Sequence, residues 1–230
     1  MNRVAVIDYG AGNLRSVTKA LEHVAVDASI VLVNDATQLA DATHIILPGV
    51  GAFADCMRGL QSLTGMIAAL EKQVLQDKIP FLGICVGMQM LLQRGHEHGL
   101  HQGLGWFEGE VLPLQSDTLK VPHMGWNELS FCAGESSPDP TLRASLCSVA
   151  PNSLFENISS GDHMYFVHSY HCAMQHEKEV IATTDYGGAV TAAIARENIM
   201  GVQFHPEKSQ QSGLQLFQNF LLMGHHASSR

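Results

Sequence analysis

The sequence predicts an α/β fold with a doubly wound, mainly parallel central sheet, helices on both faces and added antiparallel strands. Short apolar strand patterns alternate with helical patterns through the first part of the chain, and this βαβ alternation argues for parallel pairing. The clusters of chemically capable residues fall at the C-terminal ends of those strands, where such sheets bind ligands. From Gly105 onward the pattern changes to alternating, β-rich runs that suit hairpins.

Residues 3–8 read as a buried strand, 14–24 as an amphipathic helix and 30–33 as the second strand. A third strand covers 45–47, helical segments lead to a fourth at 79–84, and a helix is expected to begin near Val86. The β-rich runs are 106–114, 127–131, 164–168, 179–184, 189–195 and 199–204, expected to extend the sheet as hairpins beneath a C-terminal helix from about 209 to 223. Gly134-Glu135-Ser136-Ser137-Pro138-Asp139-Pro140 is the clearest loop by composition. Both of its flanks read as parts of the same sheet, so residues 1–230 are expected to form one domain.

A length of 230 residues with 46% hydrophobic content suffices for one α/β core. A formal net charge of -9 argues against a nucleic-acid partner, because phosphate neutralisation requires clustered Lys and Arg. No apolar run approaches the roughly 18 residues of a membrane span, and no signal-peptide pattern opens the chain, which predicts a cytoplasmic protein with no membrane role. Five widely spaced cysteines make a disulfide framework improbable, and Cys56, Cys132, Cys147 and Cys172 read as packing or surface residues. Thirteen histidines raise the question of metal, most sharply at His96, His98 and His101 and at His225 and His226. The first group fits neither an i, i+4 helical pair nor a common zinc spacing and reads as a solvated loop. The second lies in a polar tail, and no metal is expected.

Cys85 is the residue that most invites a chemical reading. The run Ile79-Pro80-Phe81-Leu82-Gly83-Ile84-Cys85-Val86-Gly87-Met88-Gln89 is an apolar strand that breaks at a Gly-x-Cys-x-Gly turn and restarts with helical spacing. A strand-to-helix elbow holds its central side chain out of the sheet, requires small residues on either side, and aims helix N–H groups at the reaction. A helix N-terminus also favours a thiolate. Lone cysteines are more often buried core residues, but a plain core position does not require two flanking glycines.

A nucleophile needs a base, and Gly201-Val202-Gln203-Phe204-His205-Pro206-Glu207 offers one. Pro206 is expected to keep His205 extended, so that His205 and Glu207 project to the same side of the strand end. The carboxylate would fix the imidazole tautomer and stabilise the imidazolium, giving a Cys85–His205–Glu207 triad. Ile45-Ile46-Leu47-Pro48-Gly49-Val50-Gly51 ends a buried strand in a glycine-rich loop able to turn an N–H toward an oxyanion, with the Val86 N–H as the second donor.

These three motifs, in this order, resemble those of the class I (triad) glutamine amidotransferases. Within that family, Val121-Pro122-His123-Met124-Gly125-Trp126-Asn127, Tyr165-Phe166-Val167-His168-Ser169-Tyr170 and the opening Asp8-Tyr9-Gly10-Ala11-Gly12-Asn13 are similar to stretches of the glutaminase subunits of imidazole glycerol phosphate synthases. The resemblance spans nearly the whole chain and departs at 133–149, which is longer than expected. It implies a class I glutamine amidotransferase-like fold and hydrolysis of glutamine to glutamate and ammonia without a cofactor. Gly49, Val50, Gly51 and Val86 would serve the oxyanion, and Gln89 with the backbone of His168, Ser169 and Tyr170 would hold the amino-acid end of glutamine. It also implies a heterodimer with a barrel cyclase that uses the ammonia to make imidazole glycerol phosphate and an aminoimidazole carboxamide ribonucleotide in histidine biosynthesis. Asn13, Pro122, Trp126 and Asn127 are the candidates for contact with that partner.

Two other readings compete. Gly10-Ala11-Gly12 after the first strand, with Asp35 at the end of the second, is a partial dinucleotide fingerprint, but Arg15 stands where its third glycine should be. A freestanding cysteine hydrolase, or the glutaminase of another amidotransferase, would keep the chemistry and change the owner.

Overall fold

The structure is a computed structural model of the chain and describes residues 2–25, 27–115, 119–131 and 150–224. Runs of Val, Ile and Leu set the centre of the sheet. β1 (Asn2–Ile7) pairs parallel with β2 (Ala28–Val33) on one side and β3 (His44–Gly49) on the other. β4 (Phe81–Cys85) pairs parallel with β3, and β14 (Ile199–Val202) with β4. The spatial order β2-β1-β3-β4-β14 is therefore parallel throughout. β3, β4 and β14 are buried along their whole length, which is why they read as unbroken apolar runs without alternation.

The sheet continues antiparallel through β13 (Ala189–Arg196), β12 (Val180–Asp185) and the short β9 (Ser130–Phe131), as the hairpin patterns at 189–195 and 199–204 predict. Helix α1 (Leu14–Val24) buries Val17, Ala20 and Leu21, the helical spacing of its apolar stripe. It packs against the C-terminal helix α5 (Gln210–Leu222), whose buried residues include Leu216, Phe217 and Phe220. Helices α2 (Phe53–Ser62) and α3 (Met66–Leu70, continued by a π-helical stretch Glu71–Gln76) connect β3 to β4. Among the described residues no helix is long and apolar enough to cross a membrane.

The helix expected near Val86 begins there, and three other expectations are corrected. The helix after Cys85 is one turn, α4 (Val86–Gln89), and the chain then enters β5 (Leu92–Gly95). The carbonyls of Met90 and Leu91, which a longer helix would use internally, accept instead from the backbone of Leu104, Trp106 and Phe107. Apolar residues buried on every side mimicked helical periodicity there. The run at 106–114 does not join the central sheet: β7 (Phe107–Pro113) forms a second sheet with β5, β6 (His101–Gln102) and β11 (Tyr170–Met174). The run at 164–168 likewise leaves it, as β10 (His163–His168) pairs with β8 (His123–Glu128) in a two-stranded ribbon. The expected strand at 127–131 is split between β8 and β9 at Leu129, whose N–H and carbonyl bond to Asp162 and Gly161. The 134–140 loop, the long 133–149 stretch, Cys132, Cys147, His225 and His226 lie outside the described residues.

The joint of β3, β4 and α4 is tight enough to dictate sequence. A Cβ on Gly83 would lie 2.6 Å from the Gly87 carbonyl oxygen, and one on Gly87 would collide with the Leu47 carbonyl oxygen. Both obstacles are backbone, so neither can move aside as a side-chain end would. Gly87→Ala is expected to lower the free energy of unfolding by roughly 3 kcal/mol or more, the upper range for overpacking a core. Urea denaturation checks this, and a midpoint equal to that of the unsubstituted chain would contradict it.

Candidate active site

Cys85 closes β4 and caps α4 with φ 54 and ψ -112, a conformation that an L-residue adopts only when its surroundings impose it. The tight packing of Gly83 and Gly87 is that imposition. In the β3–β4 register Gly49 stands opposite Cys85, so the Val50–Gly51 segment leaves the sheet beside the thiol. Tyr9 donates its hydroxyl to the Pro48 carbonyl at 2.7 Å and so anchors the start of this loop. Gly51 has φ +109 with open space where a Cβ would sit, leaving its peptide room to rotate.

His205 follows β14, two strands along from β3, and is 2% exposed. Its Nδ1 is 2.9 Å from Glu207 Oε1, and both side chains are almost wholly buried. The contact differs in its geometry from the sequence expectation. Extension stops at His205, and Pro206–Lys208 winds a 3-10 turn, so a turn and not strand alternation carries Glu207 back to the ring. The other carboxylate oxygen, Oε2, is buried without a partner among the described residues. Among the described residues the imidazole is thus the one partner that this side chain bonds. Burial, the largest single influence on His205, works to lower its pKa from 6.5, but hydrogen bonds and charges from Cys85 and Glu207 together outweigh it and hold the ring up to about 9.

A cavity of about 300 Å³ gathers Val50, Gly51, Cys85, Val86, Gln89, Pro122, His168, Ser169, Tyr170 and His205. Gln89, one turn after Cys85, is 3% exposed, and its Nε2 donates to the Tyr170 carbonyl at 3.1 Å and to Gln203 Oε1 at 3.0 Å. Gln203 then donates its own Nε2 to Cys85 Sγ at 3.6 Å. Sequence reasoning missed Gln203. Its signal was a lone amide in an apolar strand, two residues before His205 and therefore on the same face. Glu97 and Lys208 were also missed and line the cavity. Glu97 Oε2 accepts from the Phe53 N–H at 2.7 Å, and the Lys208 ammonium lies 5.6 Å over the Tyr165 ring.

Of the residues expected at a partner contact, Pro122 borders the cavity and Trp126 is 45% exposed, beside Met124 at 61%. Asn13 precedes α1 and is half-buried, its carbonyl accepting from Ser16 and Val17. Asn127 faces the opposite side of β8 from Trp126, with its amide bonded to His123, Asp185 and Glu128. Asp35, the acid of the dinucleotide reading, caps the 3-10 turn Ala36–Leu39 through Thr37. His96 bonds to Glu110 at 2.7 Å, and among the described residues no group of three or more His, Cys, Asp or Glu is arranged to hold a metal ion. Cys56 and Cys172 are fully buried.

The raised value of His205 fixes the sign of a pH effect. The folded ring binds its proton more tightly than the unfolded chain does, so the stability it contributes is complete below pH 6.5 and disappears as pH rises through about 9. The urea stability of the chain is expected to fall across that window by on the order of 2 kcal/mol more than that of a Glu207→Gln variant. Parallel pH curves for the two proteins would contradict this.

Residues 5–223 match the family model described as glutamine amidotransferase class-I. Imidazole glycerol phosphate synthase subunit HisH of Rhodospirillum rubrum is 48% identical over 225 residues, covering 95% of this chain and 98% of that protein. The proteins of the same description from Agrobacterium fabrum and Caulobacter vibrioides are 49% and 46% identical, covering 95% and 96% of this chain and 98% of each relative. Among solved structures, PurLQS from Thermotoga maritima superposes with a TM-score of 0.67 at 22% identity over 96% of this chain and 97% of that one. A structure described as a glutamine amidotransferase does so with a TM-score of 0.67 at 17% identity over 95% and 98%. At those identities the structural likeness speaks for the fold, whereas the sequence matches run through the elbow, the glycine loop and the His-Pro-Glu turn alike. The chain belongs to the class-I glutamine amidotransferase family.

Proposed function

We propose that this chain is the glutaminase subunit of an imidazole glycerol phosphate synthase, hydrolysing glutamine and passing the ammonia to a barrel cyclase in cytoplasmic histidine biosynthesis. One observation carries the chemical part: Cys85 on its strained elbow, His205 and Gln89 line one cavity, with Glu207 bonded to the buried imidazole and Gln203 bonded to both Gln89 and the thiol. The assignment to this synthase is supported by 46–49% identity to HisH subunits over nearly their whole length.

In the proposed reaction the Cys85 thiolate attacks the side-chain carboxamide carbon of glutamine, and the carbonyl electrons move onto oxygen. The Val86 N–H and a donor from the Gly49–Val50–Gly51 segment receive that oxyanion. Collapse of the adduct expels the amine as His205 gives it a proton, leaving ammonia and a γ-glutamyl thioester. Neutral His205 then takes a proton from water, the hydroxide attacks the thioester, and glutamate leaves with the thiolate restored. Glu207 stabilises the imidazolium in both halves. Gln203 donates to the sulfur and so helps hold the attacking atom in place.

For the amino-acid end of the substrate, Gln89 offers its carbonyl oxygen, because both of its amide hydrogens are already used. Backbone groups of His168, Ser169 and Tyr170 face the same cavity, and Glu97 is a carboxylate suited to the substrate ammonium. The cyclase would dock over Pro122, Met124 and Trp126, with Val121 and Leu119, 45% and 40% exposed, extending the apolar surface. Solvent-exposed aromatic and aliphatic residues beside a cavity mouth are what a partner has to cover.

Cys85→Ala is expected to reduce glutamine-dependent cyclisation to background in the reconstituted pair while ammonium-dependent cyclisation stays within about twofold of wild type, since removing a nucleophile leaves the partner's chemistry untouched. The assay compares the two nitrogen sources, for the chain alone and with the cyclase. Glutamine-dependent turnover near wild type would remove Cys85 from the mechanism, and glutaminase activity indifferent to the cyclase would favour a freestanding hydrolase.

A further inference from the structure

Two histidines outside the triad adjoin the cavity: His168, at the end of β10, lines it, and His123 on β8 stands next to His168, 6% and 2% exposed. His168 Nδ1 is 2.9 Å from the Tyr170 carbonyl. A carbonyl only accepts, so Nδ1 carries the proton and Nε2 of the neutral ring is a bare acceptor. That Nε2 is 3.0 Å from His123 Nδ1, which therefore donates and leaves His123 Nε2 as the acceptor. Asn127 Nδ2, 3.2 Å away, donates to it. The orientation of Asn127 is fixed separately, because its second amide hydrogen goes to the Asp185 carbonyl at 2.8 Å and its Oδ1 accepts from the Glu128 N–H at 2.9 Å.

The row does not stop at Tyr170. The same carbonyl accepts from Gln89 Nε2, whose other hydrogen goes to Gln203 Oε1, and this turns the Gln203 amide so that its Nε2 faces Cys85 Sγ. Two buried donors, one from His168 and one from Gln89, thus share one acceptor at the cavity wall.

We propose that Asn127, His123 and His168 are positioning residues for glutamine hydrolysis: a one-directional hydrogen-bond row that fixes the Tyr170 carbonyl and, through it, the amide orientations of Gln89 and Gln203. The proposal rests on the glutaminase reading above. Burial, the leading cause for each ring, pushes His123 down to about 4 and His168 to about 3, which keeps both neutral as the row requires. The charged and titratable groups that face them act in the same sense: His123, His171 and His205 toward His168. Tyr186 and Phe166 stack on the His123 ring with centroids 4.0 and 4.7 Å away. Were His168 to take the other tautomer, its bare Nδ1 would face the Tyr170 carbonyl and that oxygen would lose one of its two donors.

The test uses the full chain with the barrel cyclase and the variants His168→Phe and His123→Phe, which keep a stacking ring and remove the donor. The expected result is a KM for glutamine raised about tenfold with kcat changed by less than about threefold, the size expected for loss of one buried hydrogen bond. Ammonium-dependent cyclisation should be unchanged. A variant that is merely less folded would lose kcat and keep its KM, and that pattern in both proteins overturns the proposal. Nitrogen-15 NMR of the histidine rings in the unsubstituted protein gives a second reading that needs no variant to fold. Both rings should carry their proton on Nδ1, and an Nε2-protonated ring at either position overturns the row. A wild-type pair that fails to hydrolyse glutamine would sink the glutaminase reading instead, while the NMR result would still report whether the row exists.

Discussion

The architecture of the site depends on a close backbone approach, the seating of α4 against β3 and β4. Gly83 and Gly87 let the first turn of α4 fold back on its own strand and on Leu47, and Gly49 accommodates the same turn from the neighbouring strand, where a Cβ would lie 2.5 Å from the Gly87 nitrogen. With the turn seated there, Cys85 has no room for ordinary strand dihedrals and takes φ 54. The strained conformation costs on the order of 1–3 kcal/mol, offset by the burial of β3, β4 and α4 around it. In return the thiol stands at the C-terminal edge of the sheet, beside the loop from β3 and one strand from His205.

Burial then sets the electrostatics. An isolated imidazolium with His205's exposure would lose its proton, and an isolated Glu207 carboxylate would be costly to enclose. Placed 2.9 Å from the carboxylate and next to Cys85, the ring keeps its proton. At His123 and His168 the sign reverses, because among the described residues no carboxylate is bonded to either ring and burial keeps them neutral. The same residue type is therefore held as a cation at the reacting atoms and as a neutral relay behind them.

Much of this was legible in the sequence. The parallel strands announced themselves as short, largely apolar runs, and the Gly-x-Cys-x-Gly elbow carried its own steric logic. What could not be read was whatever depends on contacts between segments distant in the chain. The apolar residues after Gln89 had helical spacing, but the carbonyls of Met90 and Leu91 are taken by Leu104, Trp106 and Phe107. A tryptophan in a strand suits core and surface equally, and only the fold shows Trp126 to be 45% exposed. Asn127, expected at the same contact, belongs to the other face of its strand. Gln203 and the His123–His168 pair carry no motif, since their meaning lies in tertiary hydrogen bonds.

Everything proposed for the chemistry turns on whether the thiol held out by the elbow is the group that attacks the glutamine side chain. The most direct test is covalent labelling of the chain, together with the cyclase, by a glutamine analogue whose side chain ends in a diazoketone, followed by proteolysis and mass spectrometry. A single adduct is expected, on Cys85, and excess glutamine should prevent it. An adduct on Cys56 or Cys172, or labelling of Cys85 that glutamine does not slow, would contradict that role for the thiol.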